Sequence, residues 1–122
     1  MKVKVCGLKH PENIKKIEAL PIDLIGFIFY SKSKRNVNEK TLEYLRSSIS
    51  NRNRVGVFVN ESADLIISKA QEHSLTYIQL HGDETPEFCK HIHNKGYEVI
   101  KTFCISNKFN FNISFYWNWL KD

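Results

Sequence analysis

Two rhythms of apolar and polar positions alternate along this chain of 122 residues. Short, nearly continuous apolar runs fall at residues 2–6, 24–29, 54–59, 76–81 and 97–103. Each predicts a strand covered on both faces, as in a parallel sheet. Between them, apolar residues recur at helical spacing. Ile14, Ile17 and Leu20 predict a helix that starts at Pro11, after His10, and runs to Leu20. Leu42, Leu45 and Ile49 predict a second, capped by Asn38. Leu65, Ile66 and Ala70 predict a third, capped by Ser62 or Asn60 and reaching about His73. Thr85 caps a fourth, which begins at Pro86, ends near Lys95 and is followed by Gly96.

The connections are long enough for right-handed crossover helices. The fold class is therefore α/β, as a β/α barrel or as a doubly wound open sheet. Strand order separates the two. Consecutive order around one centre marks the barrel, and order 2-1-3-4-5 marks the flavodoxin-like sheet. After residue 105 the pattern changes. Residues 106–122 alternate polar with aromatic side chains and hold both tryptophans, Trp117 and Trp119. The division is a β/α part over 1–105 and an off-pattern aromatic tail over 106–122.

Composition narrows the class. With 42% hydrophobic and 25% charged residues, the chain is an ordinary globular domain, not a disordered tail. No apolar run approaches bilayer length, so no membrane role is expected. The residues after Met1 lead straight into a strand without a signal-peptide core, which predicts a cytoplasmic location. The net charge is +5, with clusters at Lys32, Lys34, Arg35 and at Arg46, Arg52, Arg54. Acidic residues share the same helices, and no aromatics interleave with a basic stripe. An anionic small molecule is the expected partner, not nucleic acid. Cys6, Cys89 and Cys104 show neither CxxC nor zinc spacing, so no metal is expected. Cys89 reads as a small buried hydrophobe within a helix.

Candidate chemistry gathers where strands end. In α/β folds that edge carries the site. Cys6-Gly7 closes the first strand, and Lys4 precedes it. Cys6 reads either as a base or nucleophile favoured by Lys4, or as a structural thiol. Arg35 follows the second strand, and its planar fork suits a carboxylate or phosphate. A solvated loop arginine is the plain alternative. His81 closes the fourth strand as a proton donor or as a structural hydrogen-bonder. Gln79 shares a face with His81, and a polar residue pointing inward needs a partner. Asp83 and Glu84 are expected to open the next helix.

The order of these segments carries more than any one of them. Lys4-Val5-Cys6-Gly7-Leu8, Gly26-Phe27-Ile28-Phe29-Tyr30 with Ser33-Lys34-Arg35, Val55-Gly56-Val57-Phe58-Val59-Asn60 and Ile78-Gln79-Leu80-His81-Gly82-Asp83-Glu84 together resemble phosphoribosylanthranilate isomerase of tryptophan biosynthesis. The resemblance runs to about Ile105. It departs at Lys34, where a proline is common. It implies a (β/α)8 TIM barrel, here about five parallel strands of it. It implies an Amadori rearrangement of N-(5-phosphoribosyl)anthranilate to 1-(2-carboxyphenylamino)-1-deoxyribulose 5-phosphate, without cofactor. Cys6 matches the family's base, and Arg35 matches the arginine that faces the anthranilate. Lys4, Gln79 and His81 are the further substrate-binding expectations.

The family's acid after strand six and its phosphate loops after strands seven and eight have no match in these residues. The chain thus reads as a truncated member, with little or no turnover expected from it alone. A non-catalytic fragment that binds an anionic ligand is the alternative. Self-association through open sheet edges is expected as well.

Overall fold

The computed structural model describes residues 1–48 and 53–103. Cys104, Ile49 and the tail 106–122 lie outside the described residues. Five strands alternate with four helices: β1 (Lys4–Val5), α1 (Pro11–Glu18), β2 (Leu24–Ile28), α2 (Glu39–Ser47), β3 (Asn53–Phe58), α3 (Ala63–Glu72), β4 (Tyr77–Leu80), α4 (Pro86–Asn94) and β5 (Glu98–Lys101). All strands pair in parallel, in the order β1-β2-β3-β4-β5. That is the barrel order, and it excludes the doubly wound alternative.

The helix caps follow local chemistry. The side chains of Asn38, Ser62 and Thr85 each accept from the backbone N–H three residues on. Asn60 is not a cap: its φ of 51° is left-handed, and it serves the loop after β3. Gly96, at φ 101°, ends α4 in the conformation glycine tolerates best. Helix α1 stops at Glu18, short of Leu20, which is 48% exposed. Strand β1 is shorter than its apolar run. Val3 and Gly7 flank it with bonds to Asp23, Leu24 and Gly26 that lie outside the regular ladder.

Two clusters form the layer between sheet and helices. Ile25 and Phe27 pack with Leu8, Ile14, Val37 and Leu45. Phe58, Ile78 and Leu80 pack with Ile66, Ala70, Cys89 and Ile92. Leu65, expected inward on α3, is 40% exposed, while its neighbour Ile66 is fully buried. The opposite, inward row of the sheet includes Leu24, Val55 and Val57, all buried. Side chains along a strand alternate faces, so Lys4 and Cys6 share this inward row with Tyr77, Gln79 and His81. Among the described residues, no helix is long and apolar enough to cross a membrane.

Candidate active site

Cys6 sits where β1 leaves the sheet. The backbone N–H groups of Gly7 and Leu8 both donate to the Gly26 carbonyl, at 3.1 and 3.3 Å. Gly26 has no side chain, and that leaves room for two others. A methyl added there would lie 3.0 Å from Cys6 Sγ and 3.2 Å from Lys4 Cε. Lys4 and Cys6 therefore lie side by side over β2.

Gly7 turns the chain at φ 78°. Its bare Cα also forms a seat for Arg35. A methyl on Gly7 would come within 2.7 Å of Arg35 Nη1 and 3.0 Å of its Cζ. Arg35 itself is exposed, so its guanidinium remains open to an anion. The Arg35 N–H donates to Ser33 Oγ at 3.1 Å, and Val37 N–H donates to the Ile28 carbonyl at 2.9 Å. These bonds tie the Arg35 turn to the end of β2.

Gln79 and His81 come from β4. Gln79 Nε2 donates to Thr102 Oγ1 at 3.0 Å, while its Oε1 is buried without a hydrogen-bond partner. The inward polar residue thus has a partner for its amide nitrogen and none for its oxygen. His81 is exposed, and its N–H donates to the Phe58 carbonyl at 3.0 Å.

How β1 meets β4 follows from one contact. Along the ladder, Cys6 lies beside Gly26, Gly26 pairs with Val55, and Val55 pairs with Tyr77. A flat sheet would therefore level Cys6 with Tyr77. Instead Lys2, four residues before Cys6, donates from Nζ to Tyr77 Oη at 3.1 Å and lies 5.7 Å from the ring centre. The sheet curls, and its strands tilt as barrel strands do. Cys6 and His81 each follow the end of a strand, on the inward row by alternation, and Arg35 lies against the turn that follows Cys6.

Sequence reasoning missed a buried ion pair behind this edge. Glu84 does not open α4; Thr85 caps that helix. Lys101 Nζ donates to Glu84 Oε1 at 3.0 Å, with both side chains under a tenth exposed. Glu84 also accepts from the N–H groups of Gly82 and Asn60, at 2.8 and 2.9 Å. Lys101 donates further to the carbonyls of Gly82 and Thr102. Burial pushes the Glu84 carboxyl up, but the backbone N–H donors and Lys101 outweigh it and hold the carboxyl below its ordinary range. The signal available in the sequence was Lys101, which follows the apolar pair Val99-Ile100 at the end of β5.

Cys89 is fully enclosed, and burial raises its thiol to about 11, so it is a core residue. A cavity of about 260 Å³ opens among Phe29, Val37, Leu42, Glu61, Leu65 and Lys69, on the helical side. It includes no predicted site residue. Among the described residues, no group of three His, Cys, Asp or Glu side chains is placed to hold a metal ion.

Comparison with known proteins bears on the family and the fold. The family model described as N-(5'-phosphoribosyl)anthranilate (PRA) isomerase matches residues 3–116. A relative of that name from Phocaeicola vulgatus is 48% identical over 108 residues, covering 88% of this chain and 51% of the relative. One from Parabacteroides distasonis is 42% identical, over 91% of this chain and 51% of its own length. A crystal structure of phosphoribosyl anthranilate isomerase in complex with reduced 1-(o-carboxyphenylamino)-1-deoxyribulose 5-phosphate superposes with a TM-score of 0.79. It is 36% identical, with 88% of this chain and 56% of that one covered. The chain spans about half the length of the curated relatives it matches. It belongs to the PRA isomerase family, the isomerases of tryptophan biosynthesis, and its five strands follow the family's α/β architecture.

Proposed function

We propose, from that family membership, that the chain carries the base and the anthranilate-facing half of a PRA isomerase site. Cys6 is the base that takes the C2 proton from the ring-opened Schiff base of N-(5-phosphoribosyl)anthranilate. The released electron pair forms the enolamine, which tautomerises to the ketone. Arg35 holds the anthranilate carboxylate through its planar fork. Lys4 lies beside Cys6, both side chains against Gly26. Gln79, whose buried Oε1 lacks a hydrogen-bond partner, and His81 contact the sugar portion.

The observation that supports this reading is the crowding at the end of β1, with Cys6 and Lys4 over Gly26 and Arg35 over Gly7. The family's ring-opening acid and phosphate loops have no match in residues 1–105. Proton delivery and positioning are therefore incomplete in this part of the barrel, and turnover by these residues alone is little or none. Binding of an anionic ligand without turnover is the second reading, favoured by the exposure of Arg35. The setting is the cytoplasm. Among the described residues β1 and β5 each have one strand neighbour, and we expect self-association through those edges.

Two measurements test this. Titration with reduced 1-(o-carboxyphenylamino)-1-deoxyribulose 5-phosphate should show binding that Arg35→Ala abolishes. No binding, or binding indifferent to Arg35, would sink the site assignment. An assay following loss of substrate fluorescence should show no multiple turnover, and clear turnover would overturn the inactivity claim. In a full-length isomerase carrying these residues, Cys6→Ala should lower turnover by about 10²–10⁴-fold, the range for a lost general base. Light scattering after size exclusion should detect species larger than a monomer.

A further inference from the structure

We propose that Thr41, with Asn38, is a positioning residue for Cys6: its hydroxyl grips the Lys9 carbonyl and so locks the turn carrying the thiol to the segment carrying Arg35. The inference rests on the reading of Cys6 as the base. The turn from Cys6 to His10 is held at both ends. At the near end, Gly7 and Leu8 donate to the Gly26 carbonyl. At the far end, the Lys9 carbonyl accepts from Thr41 Oγ1 and, at 3.3 Å, from Asn38 Nδ2. Gly7, at the near grip, takes the left-handed conformation and has the widest backbone freedom in the turn.

Thr41 is fully buried in the first turn of α2. A threonine there commonly bonds within its own helix. This one reaches a carbonyl 32 residues away in sequence. Asn38 joins the two ends of the clamp, since its Oδ1 accepts from the Thr41 N–H at 2.9 Å while its Nδ2 reaches Lys9. Lys9 crosses the same gap with its own Nζ, donating to the Lys34 carbonyl at 3.0 Å. Residues 33–41 are anchored to β2 through Val37 and Ile28. One carbonyl, that of Lys9, therefore connects the turn of the base to the turn of the anion-facing arginine.

The test reads the thiol itself and needs no turnover. In a Cys104→Ser background, Cys6 and Cys89 are the two remaining cysteines. Their alkylation by iodoacetamide is followed by mass spectrometry from about pH 6 to about pH 9, across the range where thiols ionise. Thr41→Val removes the hydroxyl and keeps the shape. It should change the Cys6 rate by about five-fold and shift its pH profile, the scale of one lost hydrogen bond in a local equilibrium. Cys89 is fully buried and reports global opening; its rate should change by a clearly smaller factor than that of Cys6.

Thr41→Ser keeps the hydroxyl and should restore the Cys6 profile. Asn38→Ser, which keeps a capping oxygen but loses the amide donor, should shift Cys6 in the same direction as Thr41→Val and by less; this variant decides the matter if Thr41→Val does not fold. An unchanged Cys6 profile, or equal acceleration of Cys6 and Cys89, would overturn the positioning role. Failure of the base reading would appear separately, as normal turnover of Cys6→Ala in the full-length isomerase.

Discussion

Lys101 and Glu84 form a buried ion pair behind the site, with Nζ and Oε1 meeting at 3.0 Å and further bonds running to Leu80, Gly82, Asn60 and Thr102. Removing one partner strands the other's charge out of water. Lys101→Met should cost about 3–5 kcal/mol in urea unfolding, the usual price of an orphaned buried charge. Lys101→Met with Glu84→Leu should recover much of that loss. Because the folded Glu84 carboxyl lies below its ordinary 4.5, its contribution is full above that value and is lost as pH falls through the lowered one. A plot of melting temperature against pH should therefore fall less steeply in acid for Glu84→Gln than for the parent. Equal slopes would count against the pair.

His73 supplies a second pH dependence. The ring is fully buried and stacks on Phe29 at 5.7 Å. Neither ring nitrogen has a hydrogen-bond partner, and Nε2 is 3.7 Å from Glu72 Oε2. Glu72 and Glu39 oppose Lys69 and Arg46 around it, and burial dominates, lowering its pKa from 6.5. The unfolded chain thus binds the proton more readily. Stability is full above pH 6.5 and declines as pH falls from there to the lowered folded value. His73→Phe should flatten that leg of the melting curve. A parent protein with no loss on crossing this window would refute the assignment.

Gly7→Ala tests the seat of Arg35. The left-handed backbone alone costs an L-residue about 1–2 kcal/mol. The added methyl would also meet the guanidinium at 2.7 Å. Chemical denaturation should register the loss, and titration with the reduced product analogue should show weakened binding beyond what the loss of folded protein explains.

Arg54 is nearly fully buried on the helical side of β3. Its guanidinium donates to the carbonyls of Leu45, His73 and Ser48 and to Ser48 Oγ, at 2.9 to 3.1 Å. It staples the ends of α2 and α3 to the sheet. Arg54→Met should cost about 3 kcal/mol or more, given about 1.5–3 for each bond to a charged group. Arg54→Lys should not rescue it, because one ammonium cannot reproduce the fork. Full rescue would show that charge alone matters.

Lys101, Glu84, His73 and Arg54 mark the limit of what the sequence made legible. The strands were plain because both faces of each are covered, which leaves apolar runs at β2 and β3 with few polar breaks. The caps Asn38, Ser62 and Thr85 were plain because a cap is a local bond three residues long. Cys6, Arg35, Gln79 and His81 were placed by their positions at strand ends. Thr41, Arg54, His73, Glu84 and Lys101 were not, because each is a polar residue whose burial depends on partners far along the chain. Leu20 and Leu65 erred the other way. Helical spacing marked them as core, yet α1 ends before Leu20, and Ile66 takes the inward place beside Leu65.

The bond from Lys2 to Tyr77 closes a ring of a different kind. With the ladder from β1 through β4, it makes a loop of contacts that returns to its start without the rest of a barrel. Curvature is therefore present within the first four strands, with this exposed bond as a light brace across the bow. During synthesis from the N-terminus, such a brace would let the opening strands take up their final bend as soon as residue 80 is free to pair, so that later strands meet a template already shaped to receive them.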